Sequence, residues 1–225
     1  MTMDTARRRR APRQAEAERN DRELLRAARE VLAEDGAHAS VAAIAARAGV
    51  GIGSLYRRYR TKEELFQRLA ELSLDQWTDT LEQAAACDDP WEALTAFITA
   101  SLEADRGSLA PIAGAVEVTP AMWEKHRRAD RQLAGLVERA TAAGVLRPDV
   151  TATDIWVLLE QLTAAPMIEQ LRRQGRTDLL PAAVEARQRT IAIVLDGLRP
   201  PGSPLPGGPP AETLFTGRWA DDRHR

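Results

Sequence analysis

The sequence has little of the chemistry on which most enzymes and metal sites depend. Of its 225 residues one is a cysteine, Cys87, and three are histidines, His38, His126 and His224. A single cysteine excludes an internal disulfide framework and is typical of a reducing compartment. No His/Cys cluster has metal-ligand spacing, and no phosphate-binding glycine loop or nucleophile elbow occurs. We therefore expect no enzymatic activity, no cofactor and no metal.

Long apolar runs are also absent. No stretch approaches the roughly 20 apolar residues that a membrane-spanning helix needs. The arginine-rich start of the chain lacks the apolar segment of a secretory signal. We therefore expect a cytoplasmic protein with no membrane partner.

Lysine is scarce, and the positive charge is unevenly placed. Lys62 and Lys125 are the two lysines, so arginine carries nearly all of the positive charge. Residues 1–70 contain 15 Lys and Arg against 10 Asp and Glu, a net charge of +5, whereas residues 71–225 have a net charge of −7. A basic front and an acidic rear fit a protein that places one end on phosphates.

The segment 40–65 predicts two short helices around a glycine turn, followed by a capped third helix. Ser40 can cap the first helix. Gly49 stands where the chain must turn, a position that favours positive φ. Thr61 and Glu64 match the capping-box pattern that opens the next helix. Apolar residues follow Ser40 at i, i+3, i+4 and i+7 on one helix face, and these are Val41, Ile44, Ala45 and Ala48.

The second short helix, about residues 52–59, carries side chains suited to DNA. Ser54, Tyr56, Arg57 and Arg58 offer donors to base edges and phosphate oxygens. Lys62 adds positive charge to the first turn of the third helix, whose N–H groups already favour an anion. A tight hairpin in an all-α core would share the apolar pattern, but it has no need of so many exposed donors.

This stretch resembles the DNA-binding signature of tetracycline-repressor-like (TetR) transcription regulators. The resemblance covers residues 21–69. Two residues depart from the family pattern. Gly51 stands where members usually carry Ser or Thr, and Arg57 stands where an aromatic residue or His is frequent. The matching residues are Ser40, Val41, Ile44, Ala45, Ala48, Gly49, Val50, Gly53, Leu55, Tyr56, Tyr59, Lys62, Glu63 and Leu65. The residues that the resemblance implies for DNA binding are Ser40, Ile52, Gly53, Ser54, Tyr56, Arg57, Arg58, Tyr59 and Lys62.

Strand signals are scarce in the rest of the chain, which predicts an all-α fold. A helix that opens at Thr61 could run to about Ala86 and connect two domains. We expect four segments: a disordered basic arm over 1–19, a three-helix helix-turn-helix domain over 20–66, a helical-bundle ligand-binding and dimerisation domain over 67–198, and a Pro/Gly-rich tail over 199–225.

Two long helices are predicted at the end of the bundle, over about 151–175 and 178–197, and each carries an apolar stripe. The resemblance implies a homodimer through these helices. A two-fold dimer reads a palindromic operator in double-stranded DNA, with half-sites roughly 34–36 Å apart.

The resemblance also implies a pocket between the middle helices for a small-molecule effector, which we expect to be hydrophobic. Ordinary core packing explains most of the candidates equally well. The candidate lining residues are Trp77, Phe97, Leu109, Met122, Trp123, His126, Trp156 and Met167.

Two functions remain open from the sequence. The first is a ligand-responsive transcriptional regulator, most often a repressor in this family. The second is a helical small-molecule-binding protein or small enzyme that has lost DNA binding. Gly51 favours the second function, whereas Tyr56, Arg57, Arg58 and Lys62 favour the first.

Overall fold

The computed structural model describes residues 19–32, 34–104, 109, 112–113, 116–163, 167–211 and 213–214. Within these residues the chain forms helices and turns without a strand, as predicted for an all-α protein. The predicted basic arm lies almost entirely outside the described part of the chain. None of the described helices is long and apolar enough to span a membrane.

Residues 19–32 and 34–35 form α1. The following helices are α2 (Val41–Arg47), α3 (Ile52–Arg58), α4 (Lys62–Ala85), α5 (Pro90–Ala104), α6 (Pro120–Ala142), α7 (Ala152–Thr163), α8 (Met167–Arg173) and α9 (Leu180–Gly197), with 3₁₀ turns at Gly36–His38 and Thr177–Leu179.

Side-chain caps start α4 and α7 at the predicted places, whereas α9 begins at Leu180 without the cap predicted at Asp178. The Thr61 hydroxyl accepts a hydrogen bond of 3.1 Å from the Glu64 N–H, which confirms the predicted start of α4. The Glu64 carboxylate reaches one residue further back than in a standard capping box and accepts from the Arg60 N–H at 2.7 Å. Thr151 and Asp154 form a fully reciprocal pair at the start of α7, with backbone–side-chain bonds of 2.8 and 3.3 Å.

The connector helix α4 takes part in two separate cores. Its 24 residues make it about 36 Å long at 1.5 Å per residue. Leu65 and Leu69 are buried with α1, α2 and α3, whereas Leu81 is buried with α5, α6 and α7. The helix ends at Ala85, close to the predicted end, and its residues enter both cores without a break in the helix.

The first core reaches beyond the residues of the helix-turn-helix. Leu109, Ile112, Val116 and Met122 come from the segment before α6 and from its first turn, and they pack with α1 to α4. The Met122 sulfur also accepts a hydrogen bond of 2.8 Å from the Gln67 amide on α4. The first core therefore combines residues that come before α4 in the sequence with residues that follow it.

The predicted helix 151–175 is described as two helices, α7 and α8, on either side of residues 164–166, which lie outside the described residues. α7 packs against α5 and α6, and α8 packs against α9. Large apolar side chains on α8 and α9 remain exposed: Met167 is 58%, Val184 is 42% and Ile193 is 68% exposed.

The first part of the tail is attached to the second core. The Arg199 guanidinium lies 4.0 Å from the ring centroid of Trp91 at the start of α5. Arg147, in the loop between α6 and α7, donates a hydrogen bond to the Ser203 carbonyl. The neighbouring Asp149 carboxylate accepts from the Leu205 N–H at 3.0 Å.

Candidate nucleic-acid interface

The turn between α2 and α3 depends on one glycine in the left-handed region. Gly49 has φ 67°, and the next N–H, from Val50, donates back to the Ala45 carbonyl at 3.0 Å. Ser40 caps α2 by accepting a hydrogen bond of 3.0 Å from the Ala43 N–H. The sharp turn therefore fixes the angle between two short helices.

One surface of α3 is left open to a partner. Leu55 is 5% exposed and packs in the first core, whereas its neighbours on the other side of the helix point to solvent. We call these exposed residues the reading face, and they are Ile52, Gly53, Ser54, Tyr56 and Arg57. Ile52 is 46% and Tyr56 is 47% exposed, so both side chains are accessible to a partner.

Tyr59 lies on the inner side of α3 and not on the reading face. Its residue is 6% exposed and belongs to the first core, and burial raises the pKa of its phenol. The structure therefore corrects the assignment of Tyr59 to the DNA contacts. Its bulk at the end of a short helix anchors that helix against α1 and α4.

Arg58 is exposed but already holds a partner. One of its terminal nitrogens lies 2.6 Å from the Asp21 carboxylate on α1. The same guanidinium lies 5.2 Å from the ring centroid of Tyr59. Sequence analysis did not single out Asp21, because no local pattern connects an aspartate on the first helix with an arginine 37 residues later.

Lys62 stands at the start of α4, next to the reading face. Its Nζ atom lies 5.0 Å from the ring centroid of Phe66, which holds the stem of the side chain against the helix. The residue is half-buried, and its amine sits in the first turn of α4, where backbone N–H groups already favour an anion. This placement suits a phosphate contact beside the reading face.

Comparison with protein-family models identifies both halves of the chain. Residues 24–69 match the model of bacterial regulatory proteins of the tetR family, and residues 89–200 match that of the C-terminal domain of SbtR-like transcriptional regulators. The chain belongs to the TetR family of bacterial transcriptional regulators. The first match covers most of α1, all of α2 and α3, and the start of α4.

Two solved structures are similar over most of their length. A TetR transcriptional regulator from Streptomyces coelicolor shares 28% identity, with 81% of this chain and 99% of that chain covered and a TM-score of 0.51. A TetR transcription regulatory protein from Mycobacterium vanbaalenii shares 27% identity, with 83% and 98% covered and a TM-score of 0.52. A search among curated proteins found no match to this sequence.

Three of the eight candidate pocket residues of this TetR regulator form an aromatic cluster. The ring centroids of Trp77 and Trp156 are 4.8 Å apart, those of Phe97 and Trp156 are 5.9 Å apart, and those of Trp77 and Phe97 are 6.1 Å apart. Phe97 is fully buried, and both tryptophans are half-buried. Because Trp77 lies on α4, this aromatic cluster adjoins the helix that leads to the reading face.

A polar group extends the aromatic cluster on the side of α6. The Asp130 carboxylate accepts a hydrogen bond of 2.9 Å from the Trp156 indole N–H, and its other oxygen lies 3.2 Å from the Nε2 atom of His126. The His126 ring in turn makes an edge-on contact with Trp123 at 5.9 Å. Five of the candidate residues are thus joined through Asp130, which sequence analysis had not named.

The other three candidates lie elsewhere. Leu109 and Met122 pack in the first core with residues of α1 to α4, and Met167 is 58% exposed on α8. The structure therefore corrects their assignment to one pocket with the aromatic cluster. The distinction depends on which core each side chain enters, and hydrophobicity alone does not encode that choice.

Proposed function

We propose that the protein is a homodimeric repressor that leaves a palindromic operator when a hydrophobic small molecule binds its second domain. The observation that carries the proposal is the continuity of α4. One helix begins at Lys62, beside the reading face, and carries Trp77 in the aromatic cluster 15 residues later. A change in the packing of that cluster therefore has a direct mechanical route to α3.

Exposed apolar side chains support the homodimer. Met167, Val184 and Ile193 lie on α8 and α9, the part of the chain that family resemblance assigns to dimerisation. A contact between two copies that covers the outer side of α9 would bury Ile193, while Val184, nine residues earlier, lies on the opposite side of that helix. Two copies related by a two-fold axis would present two reading faces to successive major grooves.

The aromatic cluster supports the effector site. An apolar molecule seated against Trp77 and Trp156 would gain area from both rings and would push α4 aside, since Trp77 is part of that helix. The distance between the two reading faces would then no longer match the spacing of the half-sites. Effector and operator would weaken each other's binding by the same factor, because thermodynamic linkage is reciprocal.

Selection from random duplexes tests the DNA-binding part directly. We expect a palindromic sequence to be enriched at about 50 mM salt, with affinity that falls steeply as salt rises. Failure to enrich any sequence would contradict the proposal. If the same preparation bound apolar compounds in a thermal-shift screen, it would indicate a small-molecule-binding protein that has lost DNA binding.

The effector part is tested on the enriched duplex. Compounds that raise the unfolding temperature in the screen are expected to release the protein from the duplex in a mobility-shift assay. Compounds that stabilise the protein but leave the complex intact would separate ligand binding from regulation and would rule out this mechanism for those ligands.

A further inference from the structure

The carboxylate of Asp21 on α1 binds one arginine from each of two other helices. Its Oδ1 atom accepts a hydrogen bond of 2.6 Å from Arg58, the last residue of α3. Its Oδ2 atom accepts one of 3.0 Å from Arg68, in the second turn of α4. The Asp21 side chain is only 11% exposed, whereas Arg58 is 46% and Arg68 is 34% exposed, so the carboxylate is the shielded member of each pair.

The recognition helix needs such an attachment. α3 has seven residues, fewer than the roughly 12–15 that an isolated helix requires. Its N-cap residue is Gly51, which supplies no side-chain hydrogen bond. Leu55 and Tyr59 hold the helix by burial, and the bond from Arg58 to Asp21 fixes its last turn.

We propose that Asp21 is a positioning residue for DNA recognition. It holds the end of α3 in the orientation set by α1 and α4, and it engages the charge of Arg58 so that this arginine does not bind a phosphate. Arg68 extends the attachment to the connector helix. Removal of the carboxylate would leave two guanidinium groups facing each other, and their repulsion would release the last turn of α3.

This inference rests on the proposed DNA-binding function, and its test uses the duplex obtained by selection. Glu23→Gln is the matched control, because Glu23 is an exposed acid on α1 whose partner, Arg26, is on the same helix. If acidic charge on α1 merely repels DNA, both Asp21→Asn and Glu23→Gln will bind more tightly. We expect Asp21→Asn to bind about tenfold or more weakly and Glu23→Gln to stay within about twofold of the parent protein.

The salt dependence of binding tests the role of Arg58. A lost phosphate contact lowers the slope of log affinity against log salt by about 0.9. We expect Arg58→Gln to weaken binding without that change in slope, because its charge is engaged by Asp21. Arg68→Gln, on the far side of the carboxylate, should weaken binding in the same way.

The outcomes separate this inference from the function on which it rests. If the parent protein selects no sequence, the proposed function fails. If the parent selects a sequence but Asp21→Asn binds it equally well or better, or if Arg58→Gln lowers the slope by about 0.9, only the positioning role is overturned. Circular dichroism checks that each variant is folded. If Asp21→Asn does not fold, two other variants carry the test. We expect Asp21→Glu to keep part of the affinity for the duplex, and Arg58→Gln to leave the slope of log affinity against log salt unchanged.

Discussion

The indole N–H of Trp156 on α7 donates a hydrogen bond of 2.9 Å to the carboxylate of Asp130 on α6. The ring of the same tryptophan packs edge-on against Trp77 and Phe97. Its polar edge and its apolar faces are therefore used by different neighbours. This double use fixes Trp156 at the point where α4, α5, α6 and α7 meet.

Trp156→Phe should destabilise the protein by about 1–3 kcal/mol, because the half-buried Asp130 carboxylate loses its indole donor. Trp123→Phe is the control, since Trp123 is also half-buried on α6 but makes its ring contact with His126 alone among the described aromatic pairs. Urea unfolding followed by circular dichroism measures both. Equal losses in the two variants would mean that the hydrogen bond to Asp130 contributes nothing beyond ring area.

Thr61→Ala should lower the free energy of unfolding by about 1 kcal/mol, because α4 loses the hydroxyl that caps its first turn. The same change should weaken operator binding, since Lys62 stands in that turn. Thr80→Ala in the middle of α4 is the control. Its hydroxyl bonds to the Gln76 carbonyl within the helix, which does not stabilise helices, so we expect little change. A loss of similar size at both positions would argue against a capping role.

The features that the sequence predicted correctly are local ones. A cap is set by residues three positions apart, as at Thr61 and Glu64, and a left-handed turn is set by one glycine, as at Gly49. The end of α4 at Ala85 lies one residue from the end predicted at about Ala86. These signals act over a few residues, so they can be recognised in the sequence without knowledge of the fold.

The errors concern residues whose role depends on distant partners. Tyr59 is a residue type that often contacts DNA, but in this fold it packs in the first core. Met122 is a residue type that often lines a ligand pocket, but it also packs in the first core. Asp21 and Asp130 each join helices far apart in sequence, so nothing in their own neighbourhood marks them. Hydropathy predicts that a side chain is buried but not which core receives it.

Gly53→Ala should separate stability from DNA binding. Gly53 lies within α3, and a Cβ added there meets no atom within 4 Å, so alanine should stabilise the helix by about 0.5–1 kcal/mol. The added methyl group lies on the reading face and should weaken operator binding. Thermal unfolding and a mobility-shift titration measure the two effects.

Gly49→Ala provides the contrasting case. Alanine is strained at φ 67°, so this variant should lose about 1–2 kcal/mol of stability. If a Gly53→Ala protein were more stable and still bound the operator normally, Gly53 would not be in contact with the DNA.

Ile193→Asp should convert the protein to a monomer and abolish binding to a full palindrome. Ile193 is 68% exposed on α9, and a carboxylate there would be buried without a partner in a dimer contact. Leu205→Asp adds the same charge to a 41% exposed apolar residue in the tail, which belongs to neither α8 nor α9. Analytical ultracentrifugation is expected to detect dimers for the parent and Leu205→Asp. A dimeric Ile193→Asp protein would place the interface elsewhere.

The attachment of the tail should make stability sensitive to acid. The Arg147 guanidinium and the Leu205 N–H hold the carboxylate form of Asp149 and lower its pKa from 3.8 to about 2. A carboxyl group whose pKa is depressed in the folded state stabilises the protein above its unfolded pKa and loses this contribution as pH falls through the folded value. Between about pH 4 and pH 2, we therefore expect the attachment to weaken.

Asp149→Asn should lower the unfolding temperature at neutral pH and flatten its dependence on pH in that acid window. Asp178→Asn is the control, because Arg176 also lowers the pKa of Asp178 but that pair is exposed and lies within a single turn. This pair connects no distant segments, so its removal should change the unfolding temperature little. If Asp149→Asn retained the full acid sensitivity of the parent protein, other carboxylates would have to account for it, and the attachment of residues 199–205 would not contribute to stability.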